Sequence, residues 1–345
     1  MLYGLRALYR PAMFQGAHRR DRYFEGWYFK CVDSSVAHPI AVIPGISLDR
    51  AGGSSHAFIQ VIRPGGRVKY MRFPVEAFDY SPDRFEIRIG DNRFSEAGFH
   101  LELPPGDGIT ESADDGIGAI AGDVRFGELS CWPVTLLSPG VMGWYRYVPR
   151  MECYHGVVSM DHALDGGLTV GGQTLSFLGG RGYAEKDWGT SFPSSWIWAQ
   201  SNHFCRDGRY DPGVSVMVSV AKIPWLGSSF IGHLAGVLVD GELHRFATYT
   251  GAKLTTIETG NGCARVALDD GAKRLEISFS GATTGPLKAP RQGAMSGVDE
   301  EALGTELAVH LERKESGVWK TVFRGVGEHA GVEVSDPAGE LAGDL

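Results

Sequence analysis

The residues with the clearest capacity for chemistry lie in one stretch, Gly182-Tyr183-Ala184-Glu185-Lys186-Asp187-Trp188-Gly189. On a strand, successive side chains point to opposite faces, so Tyr183, Glu185 and Asp187 share one face. A carboxyl buried beside aromatic rings keeps its proton, because burial disfavours the charged form. Such a group can protonate a substrate as a general acid. We therefore predict Asp187, beside Trp188, as the first candidate proton donor and Glu185 as its alternative.

A second group of suggestive residues follows at once. Trp196, Trp198, Gln200 and Asn202 share one face of the next predicted strand, opposite small and apolar residues. The two amides need hydrogen-bond partners when buried, and a ligand with polar and apolar ends would supply them. We expect the two groups to line one wall of a ligand cavity. The predicted substrate-binding residues are Tyr183, Trp188, Trp196, Trp198, Gln200 and Asn202.

The segment 23–32 near the N-terminus repeats the acidic and aromatic pattern. Glu25, Trp27 and Phe29 alternate with Tyr28 and Lys30, and either face could point inward. We predict Glu25 as a further candidate acid and Trp27 as a further substrate-binding residue.

Each of these groups also has a structural interpretation. Lys30 in the first segment would pair with an acid, and Lys186 would pair with Glu185 and Asp187. The tryptophans would fill a hydrophobic core. The residue types alone leave both interpretations open.

A metal site is not expected. The pairs Cys153-x-His155 and His203-x-Cys205 have a spacing that any strand produces, and the chain has no H-E-x-x-H or C-x-x-C motif. It also lacks a G-x-S-x-G elbow, a Walker A loop and a dinucleotide-binding glycine motif. These absences argue against serine hydrolases, nucleotide hydrolases and Rossmann dehydrogenases.

The composition is that of a folded globular protein. The chain has 345 residues, 43% hydrophobic and 21% charged, with a net charge of -8 that opposes nucleic-acid binding. Five widely spaced cysteines suit a reducing compartment, and the sequence shows no signal-peptide core. No apolar run approaches the ~20 residues of a transmembrane helix. We predict a cytoplasmic protein whose membrane contact, if any, is peripheral.

The elements that must position these residues are predicted to be strands. Helical periodicity is scarce, and the 48 glycines punctuate short alternating runs, which favours antiparallel barrels or sandwiches. We predict an all-β protein with domains at 1–178 and 179–345, divided at Leu178-Gly179-Gly180. The aromatic loop 138–149 is expected to lie over apolar residues. The predicted strands are 23–32, 56–62, 68–73, 84–89, 99–103, 119–126, 155–160, 174–177, 183–187, 196–204, 214–221, 231–239, 242–249, 264–268, 274–279, 306–312 and 319–326.

Three pieces of the sequence, taken together, resemble the tocopherol cyclase family. They are the run 24–30, the run 182–193 with Trp196-x-Trp198-x-Gln200-x-Asn202, and the run from 143–145 through 151–162. The resemblance implies two lipocalin-like antiparallel β-barrel domains, similar to carotenoid hydratase and AttH-type proteins. It also implies a hydrophobic substrate and no cofactor.

The activity implied by this resemblance is closure of a chromanol ring on a prenylated hydroquinone. An acid protonates the prenyl double bond, and the phenolic oxygen captures the tertiary cation. Asp187 or Glu185 would be the donor, the aromatic residues would shield the cation, and Gln200 or Asn202 would orient the hydroxyl. The chain is shorter than the plant enzymes, and two alternatives stay open: an isoprenoid hydratase, or a non-catalytic carrier of quinones or lipids.

Overall fold

Runs of alternating polarity form antiparallel strands through most of the chain that the computed structural model describes, residues 2–50, 54–106, 116–206, 209–260 and 262–341. The chain forms two compact units. The first comprises Met1–Phe192 and Pro286–Val298, and the second comprises Pro193–Gly285 and Asp299–Leu345. The predicted all-β antiparallel class is confirmed.

Twelve strands form the sheet of the first unit, in the spatial order β4-β3-β2-β1-β12-β10-β9-β8-β7-β6-β5, with β11 on β10. Neighbours along the chain are mostly neighbours in the sheet, and the last strand returns beside the first, as in up-and-down folds. The strands are β1 (Tyr23–Val32), β2 (Ile40–Leu48), β3 (His56–Arg63), β4 (Arg67–Phe73), β5 (Phe78–Tyr80), β6 (Glu86–Ile89), β7 (Asn92–Ser95), β8 (Gly98–Leu103), β9 (Ile120–Phe126), β10 (Cys153–Val170), β11 (Gln173–Ser176) and β12 (Arg181–Gly189).

The strand β10 is long enough to pair with three strands, β12, β9 and β11. Its first part pairs with β12 and its second part, from Leu164, pairs with β9. Register shifts between Val157 and Ser159 and between Ser159 and His162 mark the bend. Such irregularities turn a strand and re-aim its side chains.

Aromatic rings fill the core of the first unit. Trp27 stacks on Phe85 with ring centroids 5.7 Å apart, and Phe29 lies 6.0 Å from Phe94. Trp27 and Phe29 are buried on one face of β1. That face therefore points into the core.

Twelve further strands form the second sheet, in the order β18-β17-β16-β13-β24-β23-β21-β20-β19, with β14, β15 and β22 beside this path. Aliphatic residues of these strands form its core. The strands are β13 (Trp196–Ser201), β14 (Phe204–Arg206), β15 (Arg209–Asp211), β16 (Val214–Trp225), β17 (Ser228–Val239), β18 (Glu242–Ala247), β19 (Lys253–Gly260), β20 (Cys263–Asp269), β21 (Lys273–Phe279), β22 (Gly285–Arg291), β23 (Ala294–Glu315) and β24 (Val318–Ser335).

The division between the units differs from the predicted boundary at residues 178/179. It falls at Phe192 and Pro193, because β12 is an inner strand of the first sheet and pairs with both β1 and β10. The segment Pro286–Val298, which we call the returning segment, also belongs to the first unit. The predicted division into 1–178 and 179–345 missed this return because nothing in the local pattern marks it.

The returning segment is held by backbone and side-chain hydrogen bonds within the first unit. The Gln60 amide donates to the Lys288 carbonyl at 3.0 Å and accepts from the Lys288 N–H at 2.9 Å. Ser47 Oγ donates to the Gly293 carbonyl at 2.6 Å. Gly293 has φ +88°, and a Cβ there would lie 2.4 Å from the backbone nitrogen of Tyr23. The segment therefore requires glycine at this close approach.

Several elements were not predicted from the sequence, namely one α-helix and the six strands β2, β5, β7, β15, β19 and β22. The strand β2 contains Pro44 and Gly45, which are uncommon inside strands. The helix α1 (Leu2–Tyr9) has only eight residues, too few for a clear helical period. Within the described ranges, no helix has the length and apolar character required to cross a lipid bilayer.

Candidate functional site

The strand β12 carries two different environments on its two faces. It lies between β1 and β10, where Asp187 is opposite Gly26 and His155, and Lys186 is opposite Trp27. Side chains alternate along the strand, so adjacent residues serve opposite faces. We call the side with Tyr183, Glu185, Asp187 and His155 the acid face. The other side, with Glu25, Trp27, Lys186 and Trp188, is the lysine face.

On the acid face, an imidazole lies between two carboxyl groups. His155 Nδ1 lies 2.9 Å from Asp187 Oδ1, and His155 Nε2 lies 3.3 Å from Glu185 Oε2. The second contact has an ion-pair distance without good hydrogen-bond alignment. Tyr183 Oη donates to Glu185 Oε2 at 2.5 Å. Four side chains from two strands thus form one chain of polar contacts.

The two carboxyl groups decide the protonation of His155. Burial alone would lower the pKa of His155, but Asp187 and Glu185 together raise this pKa well above its usual value. Burial and Glu185 raise the pKa of Tyr183 well above its ordinary range. The two carboxyl groups thus favour the protonated form of His155, and Tyr183 keeps its proton as a hydrogen-bond donor.

Exposure rises from one end of this chain of contacts to the other. Tyr183 is fully buried, whereas the side chains of Glu185, His155 and Asp187 are 6%, 12% and 28% exposed. The thiol of Cys153 donates to Asp187 Oδ1 at 3.8 Å. Asp187 is therefore the member of this chain of contacts most open to an incoming molecule.

On the lysine face, Glu25 and Lys186 form an ion pair that is wholly buried. Glu25 also accepts hydrogen bonds from the backbone N–H groups of Gln15 and Gly16, and from Tyr23 Oη. Burial raises the pKa of Glu25, although Lys186 opposes this, and burial lowers the pKa of Lys186 to about 8. Both carboxylate oxygens of Glu25 thus accept hydrogen bonds that fix the N-terminal segment to β1 and β12.

Aromatic rings enclose the same ammonium group. Lys186 Nζ lies 4.5 Å from the ring centre of Trp27 and 4.9 Å from that of Trp188. The guanidinium group of Arg146 lies 4.9 Å from the ring centre of Trp188. The Trp188 ring also stacks on Tyr154, with ring centroids 5.5 Å apart. Cation–π contacts of this kind help to retain buried charges.

The predicted residues of the first unit therefore divide between two sites. Glu185 and Asp187 meet on the acid face together with Tyr183, as the alternation predicts. Glu25, Trp27 and Trp188 lie across the sheet from them, in contact with Lys186. The structural interpretation suits these three residues better, because their polar atoms and rings already hold a lysine and the N-terminal segment.

The other predicted binding residues lie in the second unit. Trp196, Trp198 and Gln200 are buried on β13, and Asn202 follows its last residue. Trp196 Nε1 donates to Glu333 Oε2 at 2.8 Å. Their participation in substrate binding stays a prediction.

The alternation predicted for β13 is observed. Ile197 and Ala199 belong to the hydrophobic core of the second unit, so the indoles occupy the opposite face. The tryptophans are thus buried without being part of that core cluster. The two predicted groups belong to different units, and their sharing of one wall stays a prediction.

Three groups on the acid face are also of the kinds that bind metals. One ligand atom each from His155, Glu185 and Asp187 lies within 4.8 Å of the others. Imidazole and carboxylate groups suit zinc and similar cations. The pairing considered from the sequence is not assembled within one unit, since Cys153 lies in the first unit and Cys205 in the second. That the protein needs no metal stays a prediction.

His155 is the residue that sequence reasoning missed. The sequence identified His155 only as part of a possible metal-binding Cys-x-His pair, although it contacts both candidate acids. Its position two residues from Cys153 on a strand was visible, but the cross-strand register that places it opposite Asp187 was not. A histidine 32 residues before a carboxylate gives no local signal of contact.

Comparison with known proteins gives a family match that extends over parts of both units. A family model described as tocopherol cyclase-like matches residues 128–336. A probable chloroplastic tocopherol cyclase of Oryza sativa subsp. japonica is 26% identical in an alignment of 273 positions that covers 66% of this chain and 57% of the relative. The chloroplastic tocopherol cyclase of Zea mays is 27% identical over 136 residues, 38% of this chain and 25% of that relative. The chain thus spans little more than half the length of the rice relative.

Among solved structures, the crystal structure of CghA with Sch210972 is similar to this chain. The TM-score is 0.53 at 12% sequence identity, over 90% of this chain and 88% of that chain. A likeness at this identity concerns the fold alone. It agrees with the predicted class of two lipocalin-like antiparallel β units, which is confirmed.

Proposed function

Because the chain belongs to the tocopherol cyclase-like family, we propose that it is an enzyme that closes a chromanol-type ring on a prenylated hydroquinone. The substrate in this proposal is hydrophobic and carries a phenolic hydroxyl near a prenyl double bond. The reaction is an isomerisation, so it consumes no oxidant, reductant or water.

The observation that carries this proposal is the imidazole ring held between two carboxyl groups. His155 lies against Asp187 and Glu185, and Asp187 has the most exposed side chain of the three. A proton can therefore be stored on His155 and presented at Asp187. Protonation of an alkene needs such a donor at the edge of an apolar binding site.

Substrate binding would itself convert Asp187 into a neutral carboxylic acid. A prenyl chain that covers the exposed edge of Asp187 excludes water from the His155–Asp187 pair. Loss of water disfavours both charged forms, so the proton moves from Nδ1 of His155 to Oδ1 of Asp187. The neutral carboxylic acid then protonates the double bond and becomes a carboxylate beside the new cation.

Ring closure returns the proton to the enzyme. The phenolic oxygen attacks the tertiary cation, and its proton passes to Asp187 and then to His155. One C–H and one C–O bond form, while one O–H bond and the alkene π bond break. Tyr28, which is opposite Glu185 in the sheet, and Tyr183 offer aromatic rings on the acid face that can stabilise the cation.

The test is to incubate the purified protein with prenylated hydroquinones under reducing conditions and to analyse products by mass and retention time. A product of unchanged mass with a chromanol spectrum supports the cyclase. A product that has gained one water would instead identify a hydratase, in which water captures the cation. If the protein binds the compounds of the panel without altering them, the cyclase proposal is rejected in favour of a carrier.

Asp187→Asn separates an acid from a structural residue. We expect turnover to fall by about 10²–10⁴-fold with substrate binding retained, because the amide cannot deliver a proton. The matched control is Asp91→Asn, an exposed aspartate on a hairpin turn, which should leave turnover unchanged. Normal turnover in both Asp187→Asn and Glu185→Gln would exclude these carboxyls as the donor.

A further inference from the structure

A short hairpin in the first unit holds two leucines at its tip. Thr135 and Ser138 exchange backbone hydrogen bonds at 2.9 and 3.2 Å, so Leu136 and Leu137 form a two-residue loop. These side chains are 73% and 79% exposed. Tight turns normally carry glycine, asparagine, aspartate or proline. Two exposed leucines here are not required by the turn.

Aromatic side chains lie beside this tip. Tyr147 Oη donates to the Leu136 carbonyl and lies 2.9 Å from Tyr9 Oη at the end of α1. Trp144, three residues before Tyr147 in a 3-10 turn, lies on the same side of that turn. Trp144 and Tyr147 remain 45% and 43% exposed. The loop predicted to cover apolar residues thus also presents rings outward.

The helix α1 extends the same surface. Leu5 precedes Tyr9 by one turn, so the two share a helix face, and Leu5 is 58% exposed. We call the whole set the apolar patch. It comprises Leu5, Tyr9, Leu136, Leu137, Trp144 and Tyr147.

The two stretches of chain that carry the apolar patch contain basic residues and no acidic ones. Residues 1–20 contain four arginines and no acidic residue, and residues 131–151 contain two arginines and no acidic residue. The chain as a whole has a net charge of -8. Arg6 pairs with Asp83, whereas Arg10 and Arg150 are exposed. The apolar patch is therefore set among basic residues in an acidic protein.

We infer that the apolar patch is a docking surface for an anionic lipid bilayer. Leucines at a loop tip can enter the acyl region, while Trp and Tyr side chains favour the level of the headgroups. The surrounding arginines would attract anionic headgroups. A second protein copy with the same basic rim would be repelled, so the charge favours a membrane over self-association.

The experiment measures binding of the full chain to sucrose-loaded vesicles by sedimentation, with no quinol present, so the result does not depend on the proposed reaction. Vesicles contain phosphatidylcholine alone or phosphatidylcholine with phosphatidylglycerol. We expect stronger binding to the anionic vesicles and weaker binding at high salt. Leu136→Ser/Leu137→Ser should reduce the partition coefficient by about tenfold or more, since two apolar side chains no longer insert.

The control variant is Leu226→Ser, at another hairpin tip where the leucine is 94% exposed. It should bind vesicles as the parent protein does. Trp144 should shift its fluorescence to the blue on binding, and Trp144→Phe should remove that shift. Parent protein that binds neither vesicle, or a double leucine variant that binds as tightly as the parent, overturns the inference. So does an oligomer that dissociates in the double variant, measured by light scattering without lipid.

Discussion

At the scale of single residues, His155 determines what the two candidate acids can do. An isolated aspartate at the edge of an apolar site would have to acquire its proton from water. In the proposed reaction the proton is stored on an imidazole 2.9 Å away, and Glu185 on the other side helps to retain it. The proposal therefore assigns substrate contact and proton storage to different residues.

The protonated histidine also makes stability depend on pH. The folded-state pKa of His155 is raised well above its unfolded value of about 6.5, so its contribution is full below that value and disappears as pH rises through the folded pKa. We expect the stability difference between the parent and His155→Gln to be largest near pH 6 and to shrink through the alkaline range. Urea unfolding at several pH values measures it. A difference that stays constant with pH would mean that His155 is neutral in the folded protein.

At the scale of the element, β12 carries two polar networks, one on each of its faces. Its lysine face holds the N-terminal segment through Glu25, while its acid face carries the exposed Asp187. The two networks involve adjacent residues that lie on opposite faces of the strand. Strand alternation, rather than distance along the sequence, separates them.

The buried ion pair of the lysine face gives an element-scale prediction. Lys186→Met leaves the Glu25 carboxylate buried without its counter-charge, and we expect a loss of about 3–5 kcal/mol in unfolding free energy. Adding Glu25→Gln should recover part of that loss, because the uncompensated charge disappears. Arg125→Met, which breaks an exposed pair with Asp165, is the control and should change little. Equal effects of the two methionine variants would show that burial does not matter.

The returning segment gives a second prediction at this scale. Gly293→Ala places a Cβ within 2.4 Å of Tyr23 backbone, so we expect clear destabilisation. Gly317→Ala is matched in backbone conformation, with φ +84° against +88°, but has open space around it. Thermal unfolding of both variants separates the two causes. Equal losses would assign the whole effect to the positive φ and none to the close approach.

The sequence predicted local features better than contacts between strands. The limits of β1 follow directly from alternation, and so does the common face of Tyr183, Glu185 and Asp187. The separation of Glu25 from Asp187 did not follow, because alternation defines faces within one strand but not the register between two. His155 was overlooked for the same reason. The register between two strands depends on hydrogen bonds between residues far apart in sequence.

At the scale of the whole molecule, the chain passes from the first unit to the second, returns, and leaves again. A fragment ending at Phe192 therefore lacks part of the first unit. The Gln60 amide loses both of its bonds to Lys288, and Ser47 loses its acceptor. Neither unit is a continuous piece of sequence.

This discontinuity predicts how fragments behave. We expect Met1–Phe192 alone to be less stable, by about 1–3 kcal/mol or more, than the same fragment joined by a flexible linker to Pro286–Val298. Urea unfolding of the two polypeptides compares them directly. The control is the linked polypeptide with Gly293→Ala in its returning segment, which should recover less stability than the linked polypeptide with glycine. Identical midpoints for all three polypeptides would show that the returning segment contributes nothing to the first unit.

The alternation of β12 also divides the ways in which this sequence can change. Substitutions at 183, 185 and 187 alter the acid face, whereas those at 186 and 188 disturb the packing of the lysine face. A designer seeking a different reaction on this scaffold can therefore diversify every second position and leave the intervening ones intact. An insertion or deletion of one residue in the strand has no such freedom, because it exchanges the two sides and takes Lys186 away from its buried partner Glu25.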